Sequence, residues 1–381
     1  MRNNILIIES SNKKIDLLKN LIYREFSRKK TIIHTSIDIE SSLNVVENYY
    51  IDLIIINLSL NSEKILETLI KINNLTSDRQ FKIPLLIYNG LKDKHIIKKS
   101  FELGAIDYFF DKLESEHISY LFSLKIKNSL KICNYNNNLI KQNNQNKKQL
   151  KLATILQKSL MINKKVLPSI DVFGRYIPST EIGGDSYDAI DTDGKTWFMI
   201  ADVMGHGASA AMVSFMVKAL FNQLANIHKT PKTLLNEINR TYYKMFENKS
   251  DIIFSIFVGT IYKNKLTYSS AGHPYPIFYN SQDKTTHFLD NNNILIGIVP
   301  HSNFSQKSQM ISKGDIIYLY TDGLYEQIPE MRDINLINNY IKLNHKLLIN
   351  SPDIFTNNII KEFTNNEEIE DDIAILALKK K

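Results

Sequence analysis

Short apolar runs alternate with amphipathic stretches from residue 1 to about residue 113. Ile5–Ile8, Thr31–His34, Leu53–Ile56, Leu85–Tyr88 and Asp107–Phe110 have the length and composition of buried strands. Between them, Lys14–Phe26, Ile39–Tyr49, Glu63–Leu75 and Lys94–Leu103 carry apolar residues at helical spacing, the last closed by Gly104. Strictly alternating strands and helices predict a doubly wound parallel sheet, with any ligand chemistry at the carboxyl ends of the strands.

From residue 114 to about 165 the chain has few helix breakers. Ile132, Leu139, Asn146, Ala153 and Leu160 recur every seventh residue, with Tyr135, Gln142, Gln149 and Leu156 at the companion position. This is a polar seam, so a helical linker that dimerises weakly as a coiled coil is expected. Its Asn-rich middle, Asn134 to Asn146, is equally compatible with a flexible tether.

After residue 166 the rhythm changes. Asp171–Ile177, Trp197–Asp202, Phe254–Tyr262, Leu266–Ala271, Pro276–Tyr279, Ile316–Thr321 and Ile373–Leu378 read as strands, with a hairpin at Lys263-Asn264-Lys265. Ala208–Asn226 reads as a helix. Thr230-Pro231 offers a hydroxyl cap and a first-turn proline for a second helix to about Glu247. Further helices fill most of 333 to 363. Hairpins with two groups of helices predict two antiparallel sheets sandwiched between helical layers. The expected division is 1–113, a 114–165 linker, and 166–381.

Composition narrows the class. The 381 residues are 43% hydrophobic, enough for packed cores. The single Cys133 excludes an internal disulfide and leaves no zinc spacing, which suits a reducing, cytoplasmic compartment. The longest apolar run, Ile51 to Leu60, is too short for a bilayer and is broken by Asp52 and Asn57. The net charge of +7 concentrates between His117 and Lys165, where no Asp or Glu occurs. That stretch has little arginine or aromatic interleaving, so a solvated helix explains it better than a nucleic-acid surface.

Four acidic motifs carry the chemistry: GGDSYD (183–188), ADVMGHG (201–207), YTDGLYE (320–326) and EDDIAIL (370–376). Apolar runs lead directly into Asp202 and Asp322. A carboxylate at the buried end of a strand is costly unless a cation offsets it, and no Arg or Lys is near enough in sequence to do so each time. Several such carboxylates converging would make an oxygen-rich site for hard divalent cations. Singly, each has a plainer reading: Asp185 and the Asp322-Gly323 pair as turn residues, Asp371-Asp372 as a solvated loop. His206, between two glycines at a helix start, could approach an anion or cap the helix. His273 reads as a structural hydrogen-bonding residue.

The segment GAIDYFFDK and the preceding periodicity resemble a response-regulator receiver domain. The resemblance implies active positions that this chain does not keep. Glu9 is followed by Ser10 rather than a second acid, and Asn57 stands where the phosphoacceptor Asp belongs. Asn89 replaces a Thr or Ser, and Asp111 a Lys, unless the register slips to Lys112. An amide is no nucleophile for phosphoryl transfer, so the resemblance implies a non-phosphorylatable pseudoreceiver.

The four acidic motifs, in order over about 210 residues, resemble the PPM family of metal-dependent Ser/Thr protein phosphatases, in its SpoIIE-like and RsbU-like branch. The resemblance implies that Asp202 bridges two Mn²⁺ or Mg²⁺ ions and that Val203 offers a backbone carbonyl. It further implies that Asp322 and Asp371 complete the second ion, with Asp185 beside the first. Water activated between two metals would then attack phosphorus directly. Ser186 departs from a usual aromatic, and Ala374 from a usual Thr. LATILQKSLMINKKVLP (152–168) resembles the regulatory helix preceding such domains. The implied substrate is a phosphorylated anti-sigma-factor antagonist in a partner-switching pathway. The alternative is a non-catalytic adaptor that binds a sigma factor or its regulator.

Overall fold

The structure is a computed structural model that describes residues 3–57, 62–75, 83–88, 94–109, 116–246, 252–291, 293–326, 333–364 and 369–381. Phe110, Asn89, Asp111, Lys112 and Glu247 lie outside the described residues. Contacts divide the chain into two units, Met1–Asn146 and Lys147–Lys381.

The first unit alternates β1 (Asn3–Ile8), α1 (Asn12–Glu25), β2 (Thr31–Ser36), α2 (Ile39–Asn48), β3 (Leu53–Asn57), α3 (Ser62–Leu75), β4 (Leu85–Tyr88), α4 (Lys94–Glu102) and β5 (Ala105–Phe109). Its strands pair in parallel in the order β2-β1-β3-β4-β5, the receiver-like arrangement. Ile5 to Ile8 and Leu53 to Ile56 are buried because helices cover both faces of such a sheet.

α5 (Glu116–Leu160) then runs for 45 residues and bears residues of both units. Phe122, Ile126 and Leu130 pack in one cluster with Ile5, Ile7 and Leu53, and Cys133 one turn further on is also buried. This stripe is a different face from the heptad seam, whose Ile132, Tyr135 and Leu139 are exposed. At the carboxyl ends of the strands, Glu9 is buried. Asn57 Nδ2 donates to its Oε2 at 2.7 Å, the Tyr88 hydroxyl donates to the same oxygen, and Ser11 N donates to Oε1 at 2.9 Å. Three donors offset one buried carboxylate.

The second unit begins with the last turns of α5. There follow β6 (Lys164–Val166), β7 (Ile170–Ile177), β8 (Ser186–Thr192), β9 (Lys195–Val203), α6 (Ala208–Leu224), α7 (Pro231–Phe246), β10 (Phe254–Tyr262) and β11 (Lys265–Ala271). The chain continues with β12 (Ile277–Asn280), β13 (Thr285–Phe288), β14 (Lys307–Met310), β15 (Ile316–Tyr320), α8 (Ile334–Leu343), α9 (His345–Asn350), α10 (Pro352–Thr364) and β16 (Ile373–Lys380). One sheet has the order β14-β11-β10-β9-β8, the other β13-β12-β15-β16-β7-β6, all antiparallel.

The predicted α-β-β-α sandwich is present. Polar β8, with Tyr187 and Ala189 as its only core contacts from the inner face, and the short β6, β13 and β14 escaped the hydrophobic pattern. The β10–β11 turn is also tighter than expected, since Lys265 already pairs with Tyr262 and Lys263 takes a φ of 54°.

Strand alternation divides the residues among three layers. Phe198, Ile200, Phe257, Ile317, Leu319, Leu376 and Leu378 fill the space between the sheets. Trp197, Met199, Ala201 and Val203 face α6 and α7, while Ile316, Tyr318, Ile373 and Ile375 face α8 and α10. By the same parity Asp185, Asp202, Thr321 and Asp372 point into the inter-sheet layer at one end. The core therefore dictates where these polar groups go. Among the described residues no helix is long and apolar enough to cross a membrane.

Phe198 lies directly over Gly259, its cross-strand partner, where an added Cβ would sit 2.1 Å from the ring. Gly259→Ala should cost about 1–3 kcal/mol by overpacking. In denaturant titration, Phe198→Leu in the same chain should recover part of that loss. Additive losses would show that the ring is not what excludes a side chain at 259.

Candidate active site

Asp202, Val203, Asp322 and Asp371 line one cavity of about 590 Å³ at the open end of the sandwich. Asp202 closes β9 of the first sheet. Asp322 follows β15 of the second, in a 3-10 turn where Tyr325 N and Glu326 N donate to its carbonyl at 2.9 Å. Asp371 precedes β16 and stands open to solvent. Three separate strand ends from two sheets thus supply carboxylates to one space, while the strands behind them are apolar and locked in register.

Asp185 lies behind these three, 1% exposed and outside the cavity lining. The Thr321 hydroxyl donates to Asp185 Oδ2 at 2.7 Å and accepts from Ala374 N at 2.8 Å. One hydroxyl thereby ties the GGD loop to β16 across the gap between the sheets. It also answers the departure at Ala374: the backbone there is held by Thr321, with Thr321 N donating back to the Ala374 carbonyl at 3.0 Å.

Asp372 does a different job from its neighbour. It is buried and accepts from Gly184 N at 2.6 Å, Ser179 N at 2.8 Å and Ser179 Oγ at 3.0 Å. A Cβ on Gly183 would come within 2.0 Å of its Oδ2, and one on Gly184 within 2.7 Å of the Val203 carbonyl. The two glycines let the loop close onto both. The solvated-loop reading therefore fails for Asp372, and sequence reasoning missed both its role and that of Thr321.

The last turns of α5 also grip this loop. Gln157, buried, donates to the Gly183 carbonyl at 2.8 Å and accepts from Gly183 N at 3.2 Å. Thr154 Oγ1 donates to the Glu181 carbonyl at 2.6 Å, and Lys218 Nζ of α6 donates to the Leu160 carbonyl at 2.5 Å. Ser186 is buried with a hydroxyl that has no partner among the described residues. His206 is exposed between Gly205 and Gly207, both at positive φ, and does not line the cavity. His273 is buried and takes up Ser255 Oγ at Nδ1, 2.8 Å away, as a structural histidine would.

Electrostatics mark the cluster as short of positive charge. Burial, then the neighbouring Asp322 and Asp371, pushes Asp202 up to about 8. Burial and Asp371 push Asp322 up to about 6. Asp185 lies well above the carboxylate range through burial and Asp202, and Asp371 is raised chiefly by burial. Asp202 is within hydrogen-bonding reach of both Asp185 and Asp322. No Lys or Arg is among the described residues lining the cavity.

Among the described residues no three such side chains close on a point as a finished metal cage. Asp202, Asp322 and Asp371 instead share the cavity lining, with Asp185 a buried neighbour of Asp202 behind it. Hard oxygen donors that repel one another for want of a cation are the donor set that a divalent ion of the magnesium or manganese type selects.

Residues 192–381 match the SpoIIE family, Stage II sporulation protein E. Over 187 residues the chain is 27% identical to phosphoserine phosphatase RsbU of Bacillus subtilis, covering 47% of this chain and 54% of that protein. Over 185 residues it is 28% identical to phosphoserine phosphatase RsbP of the same organism, covering 47% and 46%. The chain spans about half the length of these curated relatives.

Two solved structures share the fold. The SiaA-PP2C domain of Pseudomonas aeruginosa superposes with a TM-score of 0.53 at 16% identity, over 62% of this chain and 98% of that one. The RsbU and RsbW domains of a Mycobacterium tuberculosis protein do so at 0.50 and 22%, over 58% and 63%.

The raised carboxyls set the sign of a pH dependence. A carboxyl whose folded-state pKa exceeds its unfolded value keeps a proton that the unfolded chain has lost, so stability falls as pH rises. For Asp322 and Asp202 that fall runs from the ordinary carboxylate range to about pH 8. Without divalent cations the thermal midpoint should drop across this window. Asp202→Asn should raise it at the alkaline end, by roughly 2–4 °C per kcal/mol relieved. Manganese should stabilise the wild type and leave Asp202→Asn nearly unmoved. A wild-type midpoint that rises over this window would contradict the crowding described.

Proposed function

Residues 192–381 make up a SpoIIE-type phosphatase domain, and from that premise we propose that the chain is a metal-dependent phosphoserine/phosphothreonine protein phosphatase. The convergence of Asp202, Asp322 and Asp371 on one cavity carries the reading. The named activity of the two Bacillus relatives supports it.

In this reading Asp202, the Val203 carbonyl, Asp322 and Asp371, with Asp185 behind, would hold two divalent cations, Mn²⁺ or Mg²⁺. Such ions would supply Lewis acidity for activating water and neutralising phosphoryl charge. The chain's own part is to present and space the carboxylates, since the described lining offers no Lys or Arg for the phosphate. Met204, Pro274, Tyr275, Leu295 and Ile334 also line the cavity and would receive the residues flanking the phosphorylated side chain. No cysteine lines it, and His273 is sealed and held neutral by burial, so a covalent phosphoenzyme has no candidate nucleophile among the lining thiols or imidazoles.

The proposed substrate is a phosphorylated anti-sigma-factor antagonist, and the proposed compartment is the cytoplasm. The first unit is proposed as a non-phosphorylatable receiver: Asn57 ends β3 and spends its amide on Glu9. We keep 1–113, 114–165 and 166–381 as the functional division. Control would pass through the linker, because Gln157 and Thr154 on α5 hold the loop that carries Asp185. The exposed Leu152, Ile155, Leu156 and Leu160 would pair with a second copy.

Asp371→Asn should lower manganese-dependent turnover of a phosphoserine protein or an aryl phosphate by about two orders of magnitude, roughly 3 kcal/mol of transition-state stabilisation. Full wild-type turnover in EDTA would end the metal-dependent reading. Tight partner binding with no turnover would favour the adaptor instead.

For the linker, Leu156→Asp with Leu160→Asp should convert a dimer to a monomer in light scattering and alter the rate. A wild type that is monomeric at micromolar concentration would reduce the linker to a tether.

A further inference from the structure

The four acids come from two sheets, so their spacing depends on whatever fixes the sheets to each other at the open end. On the Asp185 side the tie is Thr321. On the other side the loop from β11 to β12, Gly272 to Pro276, crosses between the sheets beside the cavity. Gly272 has a φ of 67°, and a Cβ there would fall 2.4 Å from Leu295 Cδ2, so the loop is held in one shape. His273 is its central residue.

The loop's contacts reach both sheets. Nδ1 lies 2.8 Å from Ser255 Oγ, and Ser255 is the cross-strand partner of Asp202 on the same face of the first sheet. Nε2 is sealed from solvent and has no hydrogen-bond partner among the described residues. Burial holds the ring neutral, at about 3. The same loop gains a second hold where the Tyr320 hydroxyl donates to the Tyr275 carbonyl at 3.0 Å.

We infer that His273 is a positioning residue for the distance between Asp202 and Asp322: through Ser255 it ties to the first sheet the loop whose Tyr275 carbonyl is held by Tyr320, two residues before Asp322, in the second. It acts through Ser255 and the loop rather than as a ligand. Its effect is on how well two strand ends are preset for a shared ion. The inference rests on the metal-dependent reading above.

The test is manganese affinity by calorimetry on the full chain, with the thermal midpoint and amide exchange at Asp202 and Thr321 in the metal-free protein. Ser255→Ala and His273→Phe each break the tie to the first sheet, and Tyr320→Phe breaks the tie to the second. Each should weaken manganese binding about tenfold or more and speed exchange at those amides. His273→Asn, which keeps a polar group near the position of Nδ1, should recover part of the affinity. The effects of Ser255→Ala and His273→Phe should be non-additive, because they break one connection.

Unchanged affinity and exchange in Ser255→Ala and His273→Phe, against a wild type that binds manganese, would overturn the assignment while leaving the phosphatase reading intact. Equal losses in the Phe and Asn variants, with a matching fall in thermal midpoint, would overturn it in favour of simple core packing. Should His273→Phe fail to fold, Ser255→Ala alone decides between these outcomes. A wild type that binds no manganese would instead remove the phosphatase reading, and this inference with it.

Discussion

Desolvation and mutual repulsion in a cluster of carboxylates are the constraint around which the second unit is organised. Asp185, Asp202, Asp322 and Asp371 lie in neighbour order, and no lysine or arginine of the described lining balances them. Such a cluster would spread apart if its supports were soft. It is held because each acid sits at or near the end of a strand whose interior is fixed by an apolar core on both sides. Between the strand ends, hydrogen bonds from Thr321 and Asp372 hold the loops at their spacing. Stability stored in the sandwich is thus used to maintain an arrangement that is locally unfavourable, the pattern expected where folding serves chemistry.

Much of this was legible in the sequence. Runs such as Leu53–Ile56 and Ile316–Leu319 could hardly be anything but buried strands, and an aspartate closing such a run stands out because burial makes it costly. Strand parity follows from the same runs, and it places Asp202 in the inter-sheet layer once the core face is known. β8 was missed because its Ser, Asp and Thr residues resemble a loop; only its pairing with β9 reveals Tyr187 and Ala189 as core.

Other features could not be read locally. α5 carries apolar residues on more than one face, and sequence alone favoured the heptad seam of Ile132 and Leu139. The stripe that packs is Phe122, Ile126 and Leu130, chosen by a sheet whose strands are drawn from Asn3 to Phe109. Thr321, Gln157, Ser255 and His273 are likewise ordinary residues until tertiary contacts assign their hydrogen bonds. The acids announce themselves by being out of place. The groups that position them are in place, and so leave no mark in a single sequence.

Asp371 and Asp372 are adjacent letters with separate fates. Asp371 borders the cavity and is open to solvent, so nothing in the folded core requires its charge. Asp372 collects three donors from Ser179 and Gly184 and is needed for the loop to close. In a descendant that abandoned catalysis, the first would be free to drift while the second persisted for the sake of folding. An acidic doublet surviving in a distant homologue is therefore a composite of two selective histories, and only its first member reports on chemistry.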